Sequence, residues 1–216
     1  SIMKSLLLTN FFRKQMPNVV YVLTNPSIPD IVKIGRTTDL ESRMRSLYNT
    51  SIPVPFECYF ACTVEDANYA ERQIHDAFDD FRVNPNREFF RVNPERIVSI
   101  LDMVMIEDVT PKEDIVEDEI DQRSLDKENT IRSRFNFDMV GIPVGSKLEF
   151  VKDKDITATV VDNHKINFNG KVMALSKSAL EILHGMGFMW RKVSGPTLWS
   201  YDGETLHERR LRMEQE

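Results

Sequence analysis

The sequence predicts an α/β chain, more strictly α+β, built as two modules, and three observations predict it. Short β-branched and aromatic runs alternate with amphipathic helical patterns through the first hundred residues. From about residue 135 the pattern changes to four- and five-residue strand-forming runs separated by turn signals. Between the two lies "EDVTPKEDIVEDEIDQRSLDKE", in which ten acidic residues face three basic ones and no aromatic occurs. Such a segment has no core-forming stripe, so it divides the chain. The expected parts are a domain over 1–106, an acidic linker over 107–134 and a second domain over 135–216.

In the first domain strands are expected at Val19–Leu23, Ile31–Gly35, Phe56–Thr63 and Phe89–Val92, and helices at Asp39 to about Tyr48, Asp66–Phe81 and Pro94–Met105. Together they make a mixed sheet with flanking helices. Pro26, Pro29, Pro53 and Pro55 mark boundaries, because proline cannot donate to a ladder. Cys58 and Cys62 fall on one strand, which at about 3.3 Å per residue holds them roughly 13 Å apart on one face. They cannot pair with each other, and buried core thiols are a better reading than a zinc site.

The linker either forms a solvated helix from Ile115 onward, with Ile115, Ile120 and Leu125 recurring loosely, or serves as a flexible tether. In the second, β-rich α+β domain the strand-forming runs are "KLEFV", "TATVV", "KINF" and "KVMAL". Asn169-Gly170 between the last two is a strong hairpin signal. Ser176 is expected to cap a helix through about His184. "FMWRKV" and "LWSY" read as two further strands, and the tail from Thr205 as a polar helix.

Candidate chemistry gathers in the first domain. On the helix "DANYAERQIHDAFDDF" the stripe Ala67, Ala70, Ile74, Ala77, Phe78 and Phe81 faces the core. Glu71 borders it, and His75 lies one turn further along, so both side chains can converge on one point. Alone, that pair reads as a solvated flank residue and a surface histidine. Tyr21 and Lys33, however, lie on strands that a hairpin-like loop makes neighbours, and Arg43 falls one turn into the following helix. A hydroxyl, two cations and a carboxylate suit metal-assisted phosphodiester cleavage: a base for water, charge for the phosphorane and a ligand for Mg²⁺.

These residues carry a resemblance. Val19-Val20-Tyr21 and Lys33-Ile34-Gly35, followed by Thr37, Leu40, Arg43, "AERQIH" and "REFF", resemble a GIY-YIG endonuclease of the bacteriophage and bacterial branch whose second motif reads "KIG", over roughly Val19 to Val92. The resemblance implies that Tyr21 helps to deprotonate water, Arg43 stabilises the phosphate and Glu71 holds one Mg²⁺ or Mn²⁺ ion. Gly35 would let the backbone turn tightly. Two positions depart from the pattern: Val19 stands for the first-motif glycine and Lys33 for the second-motif tyrosine. Lys33 either contacts phosphate or, with Arg36, lowers the pKa of Tyr21, which at an ordinary value near 10 is a poor base at neutral pH. Asn86 is a weak candidate for the family's late asparagine.

The run "GIPVGSKLEF", the "SKSAL" helix and the late tryptophans resemble a Restriction enzyme Adenine Methylase Associated (RAMA) domain over about Asp138 to Tyr201. That implies a reader of DNA, with modified bases among its targets, and no catalysis. Phe188, Trp190, Trp199 and Tyr201 would line one sheet face, either as core or as a base-stacking platform beside Lys171, Lys177, Arg191 and Lys192. Arg36 adds a phosphate contact in the first domain.

Net charge is −6, but the acidic segment carries −7 of it, so the modules are near neutral and compatible with DNA through weak nonspecific attraction. No run approaches the roughly 18 apolar residues of a membrane span, and "KSLLLTNFF" is too short for a secretory signal. A cytoplasmic protein is expected, with DNA as partner, no membrane, and a homo-oligomer left open. The expected function is a divalent-metal-dependent DNA endonuclease in restriction-like defence or phage DNA processing. Its main alternative is a noncatalytic DNA-binding protein with a lapsed site, and a third is an adaptor working through the acidic segment.

Overall fold

A computed structural model describes residues 18–133 and 135–214; the "KSLLLTNFF" run lies outside them. The chain is α+β, with seven α-helices and two antiparallel sheets among the described residues. It divides into two compact units at Glu128/Asn129.

The first unit is built on β1 (Val19–Thr24), β2 (Val32–Thr37), β3 (Glu57–Val64), β4 (Phe89–Phe90) and β5 (Met105–Asp108), in the order β4-β2-β1-β3-β5. β1 is central. Because side chains alternate along it, Val20 and Val22 enter one core and Val19, Tyr21 and Leu23 another. On the first face lie α2 (Ala67–Ala77) and α3 (Pro94–Leu101), whose Ala67, Ile74, Ile97 and Leu101 join that core. On the second lies α1 (Leu40–Leu47), whose Met44 packs with Tyr21 and Leu23. Asp39, Asp66 and Asn93 cap these helices with their side chains, as expected where an orphan amide needs an acceptor.

Sequence periodicity located every strand of this sheet except β5. The helix expected to run to Met105 stops at Leu101, and the chain turns back to pair beside β3. The two cysteines do not share a face. A bulge shifts the β1–β3 register between Val22 and Leu23, so Cys62 lies in the α2–α3 core while Cys58 packs with the α1 side. Burial, with help from the Asp108 charge, pushes the Cys58 thiol up to about 12, which makes it inert.

The acidic segment is no free tether. Thr110 hydrogen bonds to the Ala61 amide, Val109 and Ile115 pack against the α1 side, and Arg45 donates to the Val116 carbonyl. Helix α4 (Glu119–Ser133) follows, crossing the division between the units; Tyr48 donates to Asp121 at 2.7 Å.

The second unit holds β6 (Lys147–Phe150), β7 (Asp153–Val160), β8 (Lys165–Phe168), β9 (Lys171–Ala174), β10 (Trp199–Tyr201) and β11 (Glu204–Thr205), in the order β11-β10-β6-β7-β8-β9. Helices α5 (Leu175–Gly185), α6 (Gly195–Leu198) and α7 (Leu206–Met213) accompany it. Asn169 and Gly170 both adopt positive φ in the β8–β9 hairpin, as a tight primed turn requires. Thr205 and Glu208 form a capping box that starts α7. Ser176 does not cap α5; it lies inside the helix and accepts from the Gly195 amide. "FMWRKV" forms no strand, because the chain leaves α5 through Gly187 at positive φ and runs irregularly to α6.

Candidate active site

Tyr21 is the centre of the second face of the first sheet. It lies opposite Gly35 in the β1–β2 register and is fully buried. A methyl group at Gly35 would collide with the Tyr21 hydroxyl and stand 2.6 Å from Cζ. Gly35 is therefore glycine because the phenol ring lies across it, not because the backbone turns there: it sits within β2 and has no positive φ. Arg43, one turn into α1, donates from Nε to the Tyr21 hydroxyl at 3.1 Å.

Around this pair two ion pairs close the edge of β2. Lys33 donates to Glu88 at 2.7 Å, with its ammonium 5.0 Å from the Phe89 ring centroid and only 7% of its side chain exposed. Arg36 meets Glu71 of α2 at 3.0 Å. His75, also on α2, places Nε2 3.1 Å from the Ile34 carbonyl and stacks its ring 5.0 Å from Phe90. β4 pairs only Val32 and Lys33, so β2 from Gly35 to Thr37 has no strand on that side among the described residues.

The charges act on one another across this edge. Burial pushes the Tyr21 phenol above its ordinary value; the Arg43 hydrogen bond and charge pull it down, and the Glu88 and Glu71 charges push it up. Arg43 is held more firmly protonated by its bond to Tyr21, against the effect of burial, with Glu88 and Glu71 adding to it. Burial raises the Glu88 carboxyl, but the hydrogen bond and charge of Lys33, then His75 and Arg43, outweigh it and leave the group below the usual carboxylate range. Tyr21, Arg43, Glu71 and Glu88 thus share one electrostatic environment.

Three sequence expectations need correction here. Lys33 and Arg36 do not lower the pKa of Tyr21: each faces a carboxylate, Arg43 is the cation on the phenol, and the net shift is upward. Lys33 is committed to Glu88 beneath the sheet edge and does not present a free ammonium to phosphate. His75 holds the β2 backbone at Ile34 and does not converge with Glu71 on a common atom. Glu88 was passed over, although it stands inside the motif "REFF"; a lone lysine on a buried strand is the signal that calls for such a partner.

Residues 18–105 match the T5orf172 domain. The match spans β1 to β4 and both helices that bear the site, and stops at the first residue of β5. Neither a curated protein nor a solved structure matches the chain. No group of three or more His, Cys, Asp or Glu side chains able to hold a metal occurs among the described residues, and no helix there is long and apolar enough to cross a membrane. A single carboxylate still fits Mg²⁺, which keeps several waters and takes one or two carboxylates together with phosphate oxygens. Glu71 offers one such carboxylate, with its side chain 16% exposed and only Oε2 engaged, by Arg36.

The other sequence-predicted residues lie in the second unit, and the structure does not assemble them into one site. Trp199 is fully buried, donates from Nε1 to Ser178 at 3.1 Å and meets Phe150 and Phe168 edge-on. Trp190 is buried in the same core. Neither ring offers a face for stacking. Lys171 begins β9, Lys177 lies on α5, and Arg191 and Lys192 follow Trp190; all four are exposed. Phe188 does reach the surface, edge-on to Trp190, with the Lys152 ammonium 4.8 Å from its ring.

Proposed function

We propose that the chain is a divalent-metal-dependent DNA endonuclease of GIY-YIG type, with Mg²⁺ or Mn²⁺ held by Glu71. The T5orf172 match supports a nuclease-like or DNA-binding role. The observation that carries the finer reading is the Arg43–Tyr21 hydrogen bond over Gly35, with the Glu71 carboxylate within electrostatic reach. A buried phenol tied to an arginine beneath a strand edge has no need of Glu71 for packing.

Arg43 is fixed by its bond to Tyr21, so its remaining guanidinium donors can meet a phosphate oxygen and offset charge that builds during attack. Tyr21 keeps its proton near neutrality, since its pKa lies above the ordinary value. Its buried hydroxyl accepts from Arg43 and so aligns that guanidinium; it does not begin as a phenolate. A bound Mg²⁺ supplies Lewis-acid polarisation of the phosphate and a lower pKa for a coordinated water. Lys33 and His75 position β2, through Glu88 and the Ile34 carbonyl.

The second unit would then select the substrate, as a RAMA-like reader in restriction-like defence or phage DNA processing. Its contacts belong to the exposed cations and Phe188 rather than to the buried tryptophans. A noncatalytic DNA-binding role is the second reading; the engagement of Lys33 and Arg36 with carboxylates favours it, because both cations are already neutralised. Nicking of modified and unmodified plasmids by the full chain, with Mg²⁺ and with EDTA, separates the two. Metal-dependent cleavage that disappears in Glu71→Ala, with the fold retained by circular dichroism, is expected. Full activity of that variant would overturn the assignment.

A further inference from the structure

We infer that Arg36 is a latch on Glu71: a divalent cation binding at Glu71 expels the Arg36 guanidinium, which then contacts a DNA phosphate, so that metal and DNA binding reinforce each other. The inference rests on the nuclease reading above and adds to it a residue and a coupling.

Four features of β2 and α2 lead to it. Arg36 Nε meets Glu71 Oε2 at 3.0 Å, on the same carboxylate that must serve the metal. A dication there repels a guanidinium at that distance, and arginine cannot escape by losing its proton. The arginine side is free to leave: 46% of its side chain is exposed, against 16% for Glu71. The side it leaves toward is the open edge of β2: its side chain lies on the α2 face, opposite the Tyr21 ring, on the stretch of β2 without a β4 partner.

The neighbouring cations cannot do this. Lys33 is held by Glu88 and an aromatic ring with 7% of its side chain exposed, and Arg43 is bonded to Tyr21. Arg72 follows Glu71 on α2, is exposed and has no ion pair with it, so it supplies a control of equal charge.

Two measurements on the full chain test the latch. In the first, Mn²⁺ is titrated calorimetrically without DNA into wild type, Arg36→Gln, Arg36→Lys, Arg72→Gln and Glu71→Gln. Arg36→Gln should bind Mn²⁺ roughly fivefold more tightly than wild type, the scale of a competing partly exposed ion pair. Arg72→Gln should change affinity by less than twofold, as expected of a screened exposed charge, and Arg36→Lys should stay near wild type. In the second, affinity for a fluorescent duplex is read in EDTA and in Ca²⁺. Wild type and Arg36→Lys should gain from the metal, and Arg36→Gln should lose most of that gain while a melting curve shows it folded. Equal Mn²⁺ affinity in Arg36→Gln and Arg72→Gln overturns the latch, and an undiminished Ca²⁺ gain in Arg36→Gln overturns the transfer to phosphate. Wild-type Mn²⁺ binding that Glu71→Gln leaves intact instead overturns the parent assignment of the metal to Glu71.

Discussion

Both units bury apolar cores, but among the described residues only the first also buries a lysine, and that contrast separates chemistry from architecture. Beneath the first sheet lie a phenol, a lysine and the asparagine Asn25, each held by a partner: Arg43 for Tyr21, Glu88 for Lys33, the Val54 carbonyl for Asn25. In the second unit the core holds Phe137, Phe150, Trp190 and Trp199, with the Trp199 indole nitrogen satisfied by Ser178 and the exposed cations left outside. Buried polar groups cost stability unless partnered, and a partnered set that includes a carboxylate with exposed edges is hard to explain by packing. Buried tryptophans need no such explanation.

The contrast breaks first, if it breaks, at Trp199. Removing that ring should cost about 3–5 kcal/mol, the scale for a large aromatic lost from a core. Both tryptophans of the chain lie in the second unit, so the fluorescence of the remaining Trp190 follows its unfolding directly. A much lower midpoint in Trp199→Ala, with β1–β3 amides still protected from exchange, is the expected result. A stacking role instead predicts an unchanged midpoint and duplex affinity weaker by about 1–3 kcal/mol.

The reverse pattern is expected in the first unit. Tyr21→Phe and Arg43→Ala should each slow cleavage by about 10²-fold, the scale of a lost aligning or charge-stabilising group, with little change in duplex affinity. Loss confined to affinity would move these residues from chemistry to binding.

How much of this was legible depends on whether the signal was local. The β1, β2 and β3 runs, the helix starts at Asp39 and Asp66, and the Asn169-Gly170 hairpin are written in neighbouring residues, and the structure has them within a residue or two of where the pattern puts them. Of the candidate set, the structure bonds Arg43 to Tyr21 and brings the Glu71 charge within reach of both; the sequence suggested that grouping through motif resemblance rather than local pattern. What failed was set by tertiary pairing. β5 exists because β3 offers an edge, and the bulge that separates Cys58 from Cys62 has no signature in "FECYFACTV". "FMWRKV" has strand composition but joins neither edge of the second sheet, and its tryptophan is claimed by the α5 core. The charge partners of Lys33 and Arg36 come from 55 and 35 residues away, beyond any local pattern.

Gly35 sharpens the comparison at a single methyl group. Gly35→Ala places Cβ against the Tyr21 ring in a face with no room, so the ring must shift from Arg43. A stability loss of about 1–3 kcal/mol, the usual cost of overpacking, should accompany a fall in cleavage close to that of Tyr21→Phe. Glycines at the hairpins of the second unit, such as Gly170, meet nothing within 4 Å, so Gly170→Ala carries only the strain of its positive φ and leaves cleavage of unmodified DNA unchanged.

The smallest expected effect is alkaline and also distinguishes the units. Tyr48 donates to Asp121 at 2.7 Å, and that bond, then burial and the Asp121 charge, push its phenol up to about 12. The folded value is thus raised above the ordinary value near 10, so the stabilisation is fully present below pH ~10 and is lost as pH rises through the folded value. The group is largely in solvent, so the contribution is about 0.5 kcal/mol, the scale of an exposed polar pair. Tyr48→Phe should therefore weaken exchange protection of α1 and the start of α4 slightly at pH 8 and flatten its decline toward pH 11. The decline will not vanish, because burial also raises Tyr21 and deprotonating it must likewise cost stability. Tryptophan fluorescence of the second unit should show the same alkaline midpoint in both proteins. A shift there would mean that the α4 docking supports both units rather than the first alone.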